Sequence, residues 1–254
     1  MFQNDVIGIP TTSNMIRTSV IMAAGMGTRF GGYTELFPKG FVKVAGKSMI
    51  ERSLDILLSC GMQRIVIGTG YRSEVYEGLM DVYPQVECCY SPRYAETNSM
   101  YTLYNMREAI GTDDFLLLES DLIFERKAIE SLQECPQQDV MLVTPVTKFQ
   151  DQYYVEYDRE HHLYDCSVNP EKVNAKGELV GIHKLSNLFY QKMCADYASI
   201  VAGQPKLGYE YELLRMSRSI SPVYVLKVDD LKWYEIDDEN DLAYAEKNIV
   251  KYCI

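Results

Sequence analysis

The segment that most constrains the fold is a short apolar run that ends abruptly in small residues and glycines. The run is TSVIMAA over residues 18–24, and GMGTRF follows it directly. A continuous apolar run of this length is typical of a strand that is buried on both faces of a sheet. A glycine loop after such a strand lies at the carboxyl edge, where open α/β sheets bind ligands. The segment therefore predicts an α/β sheet with a ligand-binding loop after its first strand.

Strand-like and helix-like segments alternate from this loop to residue 121. Apolar runs predict strands at residues 64–70, 86–90 and 114–121. Helical periodicity predicts helices at residues 48–61, 73–83 and 99–110. The first of these helices begins with Ser48 and Glu51 in a capping box and ends at Gly61. This alternation is typical of a mostly parallel sheet with helices on both faces, so we expect an α/β fold.

The pattern changes after Asp121, where strands are predicted in direct succession. These strands cover residues 140–146, 153–158 and 162–168, and they indicate an antiparallel excursion. The remaining predicted elements are helices near 186–202 and 209–218, strands at 223–228 and 233–237, and a helix at 238–252. No linker composition separates these elements. We therefore expect one domain over residues 18–254, preceded by an N-terminal arm over residues 1–17.

Charge and cysteine content exclude several classes of function. The net charge is -11 and the isoelectric point is about 4.8, which disfavours nucleic acid as a partner. No stretch approaches the roughly 20 apolar residues of a membrane helix, and residues 1–19 lack the pattern of a secretory signal. The seven cysteines form no C-x-x-C pair, so reduced thiols are expected rather than a disulfide framework. We expect a cytoplasmic protein that acts away from membranes.

Two common phosphate-binding patterns nearly match the sequence, and neither fits. The dinucleotide pattern G-x-G-x-x-G begins at Gly25 but meets Phe30 where its last glycine belongs. The P-loop pattern ends correctly in GKS at residues 46–48 but has Phe41 in place of its first glycine. The GKS segment instead predicts a tight turn that leads into the Ser48 helix cap.

The pattern that does fit is A-A-G-x-G-x-R at residues 23–29, followed by Pro38 and Lys39. It resembles the MobA-like, nucleotide-diphospho-sugar transferase type of nucleotidyltransferase, a family that joins a nucleoside triphosphate to a phosphorylated small molecule. The resemblance implies a three-layer, Rossmann-like, mixed and mostly parallel sheet. It implies that the loop binds the triphosphate through residues that let the backbone approach closely: Ala23, Ala24, Gly25 and Gly27. It also implies that Arg29 and Lys39 are the catalytic cations.

Three further segments resemble one branch of this family, the cytidylyltransferases for phosphocholine and for 2-aminoethylphosphonate. They cover residues 94–110, 116–125 and 233–246. The branch implies CTP as the nucleotide donor. Asn98 and Ser99 suit polar contacts to a pyrimidine edge, and they suit the N-cap of the following helix equally well.

The chemistry of this family is an in-line displacement between two polyanions, which implies Mg²⁺ as cofactor. The resemblance makes Asp121 and Asp237 the metal ligands, and we predict that they meet across one ion. Their alternatives are a turn aspartate and a helix cap, although Asp238 is able to cap instead. Glu235 lies two positions before Asp237 on the same strand face and is a weaker candidate ligand. The three histidines receive no role.

The acceptor pocket is predicted to combine aromatic rings with acids, because the branch takes substrates that carry an ammonium group. The candidate residues are Tyr101, Tyr209, Glu210, Tyr211, Glu212 and Trp233. We expect 2-aminoethylphosphonate as acceptor, with phosphocholine as the first alternative and a sugar 1-phosphate as the second. An inactive binding subunit with the same fold is the non-enzyme alternative. Assembly as a homodimer stays open.

Overall fold

The computed structural model describes residues 15–30, 36–148 and 152–253. Its centre is one mixed sheet that contains nine of the strands in these ranges. The parallel half of the sheet runs in the order β6 (Phe115–Glu119), β1 (Thr18–Ala23), β4 (Arg64–Thr69) and β5 (Val86–Tyr90). The first predicted strand therefore lies inside the sheet, and all six of its residues are buried. Its loop opens at the carboxyl edge, as the sequence predicts.

The other half of the sheet is organised around β11 (Gly177–Leu185), which runs antiparallel to β6. The remaining strands of this half are β8 (Val140–Thr144), β9 (Tyr154–Tyr157), β10 (Leu163–Ser167) and β12 (Tyr224–Lys227). β11 pairs antiparallel with both β8 and β9, β10 pairs with β9, and β12 runs parallel to β8.

Helices cover both faces of the sheet, which confirms the predicted three-layer α/β fold. One face carries α1 (Met49–Ser59), α2 (Ser73–Glu77) and α5 (Lys127–Glu134). The opposite face carries α3 (Ser99–Asn105), α4 (Arg107–Ile110), α6 (Asn187–Ile200) and α7 (Tyr209–Ser219). Neighbouring residues of β1 face opposite layers, so Ile21 packs with α1 while Val20 and Met22 pack with α3.

A small third cluster supports the loop side of the site. It contains a short hairpin, β2 (Lys43–Val44) and β3 (Lys47–Ser48), and the final helix α8 (Glu239–Asn248). It also contains a two-stranded ribbon in which β7 (Leu122–Phe124) runs antiparallel to β13 (Trp233–Glu235). The ribbon continues to an Ile236 N–H that donates to the Asp121 carbonyl at 3.0 Å. This pairing brings two chain segments that are far apart in sequence to one point.

The capping box and the tight turn that the sequence predicts are both present. Ser48 accepts from the Glu51 N–H, and the Glu51 carboxylate accepts from the Ser48 N–H. Ala45 and Gly46 form the turn before them with φ of 49° and 83°, a left-handed backbone that suits a two-residue hairpin loop.

The structure differs from the sequence analysis at three points. The nine-residue β11 was not predicted, although it is the most connected strand of the described sheet. β8 does not pair with β9, because β11 lies between them. The single helix predicted for residues 99–110 is divided into α3 and α4 at Met106. The first two differences depend on pairing between strands that are distant in sequence, which local periodicity does not report.

The predicted N-terminal arm lies mostly outside the described residues, since residues 1–14 are not among them. Its described end is held by Ile16, whose N–H and carbonyl both hydrogen-bond to the Gln133 side chain, at 3.1 and 2.8 Å. In the described part of the chain, no helix combines the length and the apolar character needed to cross a lipid bilayer.

Candidate active site

A cavity of about 450 Å³ opens where β1 and β6 end. The loop after β1 forms one wall of this cavity, with Gly27 at φ 60°. Among the predicted nucleotide-binding residues, the lining includes Ala24, Gly25, Gly27, Asn98 and Ser99. Ala23 does not line the cavity, because it is the buried last residue of β1.

Asn98 and Ser99 combine the two roles that the sequence left open. The Asn98 side chain caps α3 by accepting from the Ser99 N–H at 2.8 Å, and its amide donates to the Lys206 carbonyl at 3.2 Å. The Ser99 hydroxyl accepts from the Tyr209 N–H at 3.0 Å. Both residues therefore fix the start of α3 while they face the cavity.

Lys39 enters the cavity from a single 3₁₀ turn after Pro38. Phe41 and Val42 N–H groups close this turn on the Pro38 and Lys39 carbonyls. The turn lies close to the end of β6, since a Cβ on Gly40 would come within 2.7 Å of the Tyr76 hydroxyl and 3.2 Å of the Ser120 carbonyl. This close packing directs Lys39 toward the acids beside it.

The ammonium of Lys39 joins the two predicted aspartates. It donates to Asp121 Oδ2 at 2.5 Å and also to Asp237 Oδ1. Arg29 contacts the same Asp237 oxygen at 2.8 Å. Burial opposes the charge on Lys39, but the carboxylates of Asp121 and Asp237 outweigh it, and the pKa of Lys39 is raised. The residue is therefore a cation at any physiological pH.

Beside this ion pair lies a cluster of three carboxylates, from Glu119, Asp121 and Glu235. Each offers an oxygen, and these oxygens lie within 4.8 Å of one another. Burial, then the charges of Asp121 and Glu210, raises the pKa of Glu119 to about 8. Burial, then the charges of Asp121 and Glu119, raises the pKa of Glu235 well above its usual range. Three confined acids of this kind repel one another unless a cation joins them.

The cluster fits a hard divalent cation such as Mg²⁺. Its donors are all carboxylate oxygens, which Mg²⁺ prefers. Asp121 Oδ1 is buried and has no hydrogen-bond partner among the described residues, so it has an unused lone pair at this point. We infer that Glu119, Asp121 and Glu235 would hold such an ion.

The predicted ligand set differs from this cluster in one residue. Asp121 and Asp237 lie together at the Lys39 ammonium, and Asp237 is not one of the three clustered acids. That the two aspartates share one metal ion stays a prediction. Glu119 was missed. The available signal was its position two residues before Asp121, which places both on the same face of the chain in extended structure.

A second cavity of about 430 Å³ adjoins the first, and the two share Arg29 and Glu119 in their linings. The other lining residues include Gln152, Tyr153, Val168, Glu210 and Glu235. Glu210 is 6% exposed, and burial raises its pKa to about 7. Its Oε2 is buried without a hydrogen-bond partner in the described ranges. Among the described residues, this second cavity is therefore lined by acids and by one aromatic ring.

The residues predicted for the acceptor pocket divide between these cavities and the core. Glu210 lines the second cavity and Tyr209 lines the first. Tyr211 lies behind the wall, with its ring 5.5 Å from that of Tyr153. The other three predicted residues, Tyr101, Glu212 and Trp233, line neither cavity.

Each of these three side chains has a partner elsewhere. The Tyr101 ring lies under the Arg93 guanidinium at 5.4 Å. Glu212 pairs with Arg215 at 3.1 Å. The Trp233 indole donates to Thr144 Oγ1 at 3.0 Å within the core.

Comparison with curated proteins identifies cytidylyltransferases among the relatives. The chain is 32% identical over 118 residues to the 2-aminoethylphosphonate cytidylyltransferase of Lancefieldella rimae, covering 46% of this chain and 48% of that protein. It is 36% identical over 93 residues to the choline-phosphate cytidylyltransferase of Streptococcus pneumoniae, covering 37% and 40%. It is 26% identical over 242 residues to the CMP-5'-(3-aminopropyl)phosphonate synthase of Streptomyces rubellomurinus, covering 90% and 38%. The chain thus spans less than half the length of each of these curated relatives.

Solved structures share the fold of this chain. The CTP:phosphocholine cytidylyltransferase of Streptococcus pneumoniae superposes with a TM-score of 0.77 at 25% identity, covering 91% of this chain and 99% of that one. The inositol-1-phosphate CTP transferase of T. maritima, at 16% identity, shares the fold with a TM-score of 0.81, covering 94% and 96%.

The family model described as the MobA-like NTP transferase domain matches residues 19–214. That range begins in β1, includes the loop, Lys39, Glu119 and Asp121, and reaches into α7. The chain therefore belongs to the MobA-like NTP transferase family.

Proposed function

We propose that the chain is a Mg²⁺-dependent cytidylyltransferase that transfers CMP from CTP to a small amine-bearing phosphonate or phosphate and releases pyrophosphate. The observation that carries this proposal is the pair of adjoining cavities. One is lined by the glycine loop and Lys39, the other by glutamates, and Arg29 and Glu119 belong to both. Two substrates seated in these cavities would meet at the carboxylate cluster.

The first cavity has the character of a triphosphate site. Its loop has no bulky side chain at Ala24, Gly25 or Gly27, so the backbone is open to close approach by phosphate oxygens. Lys39 and Arg29 supply positive charge at the inner end of the loop. The choice of CTP over other triphosphates is supported by the names of the relatives, several of which are cytidylyltransferases.

The second cavity favours an acceptor with a primary amine. Buried glutamates line it, and Glu210 Oε2 lacks a partner in the described structure. A primary ammonium donates three hydrogen bonds and suits such oxygens, whereas a trimethylammonium donates none and needs ring faces. Only one ring, that of Tyr153, is among the described lining residues. We therefore propose 2-aminoethylphosphonate as the acceptor.

The reaction is an in-line displacement. A phosphonate oxygen of the acceptor bonds to the α-phosphorus of CTP, the bond to the bridging oxygen breaks, and pyrophosphate leaves with that electron pair. The attacking oxygen is already ionised near neutral pH, so no side chain has to remove its proton. Lys39 and Arg29 neutralise the growing charge, and the loop keeps the triphosphate in line. A bound Mg²⁺ would add further neutralisation between the two polyanions.

Phosphocholine is the second candidate acceptor. It is favoured by the 36% identity over 93 residues to a choline-phosphate cytidylyltransferase, and by the Tyr153 ring in the second cavity. A pocket for its trimethylammonium group would need that ring to replace the carboxylates as the main contact.

The proposal is tested by a matrix of substrates. Each of four nucleoside triphosphates is paired with 2-aminoethylphosphonate, phosphocholine and glucose 1-phosphate, with and without Mg²⁺. Pyrophosphate release is measured, and the CMP conjugate is identified by mass spectrometry. We expect the highest kcat/KM for CTP with 2-aminoethylphosphonate. Without Mg²⁺ we expect no pyrophosphate release. Efficient turnover of glucose 1-phosphate with neither amine accepted would contradict the proposal.

A further inference from the structure

A further cavity of about 340 Å³ lies on the surface between the end of α5 and β12. Its lining includes Cys135 and Pro136, which follow α5, together with Tyr224, Leu226 and Val228 along β12 and at its end. None of its described lining residues belongs to the linings of the two cavities of the candidate site. The proposed reaction therefore does not use this α5–β12 groove.

The floor of the groove is an extension of the hydrophobic core. Tyr224, Leu226 and Val228 alternate along the chain, so they share one face of the sheet, and they pack on the same buried cluster as α5. Tyr224 and Leu226 are nevertheless only half-buried. Among the described strands, β12 pairs only with β8, apart from one bridge to His162, so it is the last strand of the sheet on that side. The described sheet therefore ends beside α5 with a partly uncovered apolar surface.

The N-terminal end of the described chain is fixed beside this groove. The Ile16 side chain packs against the same buried cluster, and its N–H and carbonyl are held by the Gln133 side chain at 3.1 and 2.8 Å. Gln133 directly precedes Glu134 and Cys135, which both line the groove. Residues 1–14, which lie outside the described ranges, are therefore attached to the protein next to the groove.

The sequence of this attached segment matches the apolar floor. Its three aliphatic side chains, Val6, Ile7 and Ile9, fall within four positions, and Asp5 and Pro10 flank them. From Ile9 to Ile16 an extended chain reaches up to about 25 Å. A helix is about 10–12 Å wide, so this reach is enough to pass around the end of α5.

We propose that residues 6–9 of the same chain occupy the α5–β12 groove, where Val6, Ile7 and Ile9 cover the half-buried side chains of β12. The attachment at Ile16 favours this occupant over a separate molecule. A segment on a short linker is present at an effective concentration in the mM range, which a second copy or another protein does not reach in dilute solution. The occupied groove extends the core layer beside α5 and removes its apolar surface from water.

The first test traps the segment in place by disulfide formation in the full chain. Thr11→Cys leaves the three aliphatic residues unchanged, and Gln137→Cys adds an exposed thiol at the groove. The double variant is oxidised with diamide, and the disulfide is identified by peptide mass mapping, which separates it from links to the native cysteines. We expect a disulfide between positions 11 and 137 within one chain. Its absence would overturn the proposal.

Glu130→Cys, combined with Thr11→Cys, is the matched control for chance collisions. Glu130 is also exposed and lies one turn of α5 from Gln133, but it does not line the groove. We expect the disulfide with position 137 to form about tenfold faster than the disulfide with position 130, because a seated segment is concentrated at one side of the helix. Equal rates would show an unseated tether and overturn the proposal. Links between chains, when Thr11→Cys and Gln137→Cys are mixed as single variants, would assign the groove to a second copy instead.

A second test needs no introduced cysteine and compares melting temperatures. We expect Ile7→Asp to lower the Tm of the wild type by about 2–4 °C, because a charge cannot stay in the apolar groove. In Leu226→Asp the groove is already disrupted, so Ile7→Asp should have no further effect there. Leu188→Asp is the matched control, since Leu188 is an exposed leucine on α6, on the opposite face of the sheet. Ile7→Asp should still lower the Tm in that background, and an equal loss in the Leu226→Asp and Leu188→Asp backgrounds would overturn the proposal.

Discussion

Lys39 contacts more of the site than any other cation in the described structure. Its ammonium joins Asp121 and Asp237, and its charge also acts on Glu119 and Glu235. In the proposed reaction, replacing Lys39 removes positive charge that would stabilise the transferred group. We expect Lys39→Ala to lower kcat by a factor on the order of 10²–10³, which is the loss of one strong transition-state contact. Pyrophosphate release under saturating substrates measures this.

The same variant should also lose stability, because the neighbouring carboxylates are left without their cation. An ordinary lysine in a polar loop would be replaced without loss of stability. The control is Lys43→Ala, which removes an exposed lysine near the same turn. It should match the wild type in kcat and in melting temperature, and near-normal turnover of Lys39→Ala would remove that residue from the mechanism.

Glu210 is the residue that we expect to distinguish acceptors. Its side chain lines the second cavity, and its Oε2 has no hydrogen-bond partner in the described ranges. Hydrogen bonds to a charged group contribute about 1.5–3 kcal/mol, so Glu210→Gln should raise the KM for 2-aminoethylphosphonate by about 10–100-fold. The KM for CTP should stay constant, and steady-state kinetics with each substrate varied in turn measures both.

Glu212→Gln is the control for this prediction, since it changes the same residue type on the same helix. Its carboxylate pairs with Arg215 and lines neither cavity. We expect reduced stability and an unchanged KM for the acceptor. Equal KM values in wild type and Glu210→Gln would place the amine elsewhere.

Helices and strands were predictable from the sequence where the signal lies in their own residues. The capping box places the start of α1, and a continuous apolar run identifies β1. The strand β11 was not predictable in this way, because it buries Glu178, His183 and Lys184 among its apolar residues. Glu178 accepts from the Thr147 and Lys148 N–H groups, and Lys184 donates to the Cys135 carbonyl. Partners so distant in sequence leave no local signal.

The candidate site shows the same division. The A-A-G-x-G-x-R and Pro-Lys patterns were sufficient to place Arg29, Lys39, Asp121 and Asp237 together, because the family resemblance carries their arrangement. Glu119 and the second cavity depend on how β11 and α7 pack beside β6. This packing was not predictable, because the sequence analysis did not predict β11.

The role of β11 is tested at Gly181, which has φ 77° and lies at a register shift of the strand. An alanine Cβ there would come within 2.8 Å of Glu119 Oε2. We expect Gly181→Ala to lower kcat/KM at least tenfold, because the carboxylate must move, and to lower stability by about 1–2 kcal/mol through the left-handed backbone. Kinetics and urea denaturation provide the two measurements.

Gly46→Ala separates these two effects. Gly46 has a similar φ of 83°, but nothing lies within 4 Å of an added Cβ. It should lose a similar amount of stability while kcat/KM stays at the wild-type value. Equal activity losses in the two variants would show that the backbone strain, and not the position of Glu119, is responsible.

On the scale of the whole molecule, the site combines parts of the sheet that the sequence keeps apart. The parallel half supplies the loop and Glu119, and the β7–β13 ribbon brings Glu235 and Asp237 to Asp121. The antiparallel half supplies Gly181 and His183, which stand behind these acids. The same buried groups therefore contribute to stability and to the geometry of the site. One of them, His183, should make stability depend on pH.

His183 should make the folded state sensitive to acid. Its pKa is about 3 in the folded protein, lowered by burial, against an ordinary value of 6.5. Because the unfolded chain takes up this proton first, the stability from a neutral His183 is complete above pH 6.5 and is lost as the pH falls toward 3. The described polar side chain in contact with its ring is Tyr209, which is uncharged here because burial raises its pKa well above 10.

The measurement compares wild type with His183→Gln, which keeps a polar side chain but does not titrate. Buried glutamates with raised pKa values act in the opposite direction, since their protonated forms favour folding at lower pH, but both proteins contain them. The difference in unfolding free energy therefore isolates the histidine. We expect the advantage of the wild type to shrink by about 2 kcal/mol between pH 7 and pH 5, as the unfolded histidine becomes protonated. A difference that stays constant over this range in urea denaturation would mean that His183 is not buried as a neutral ring.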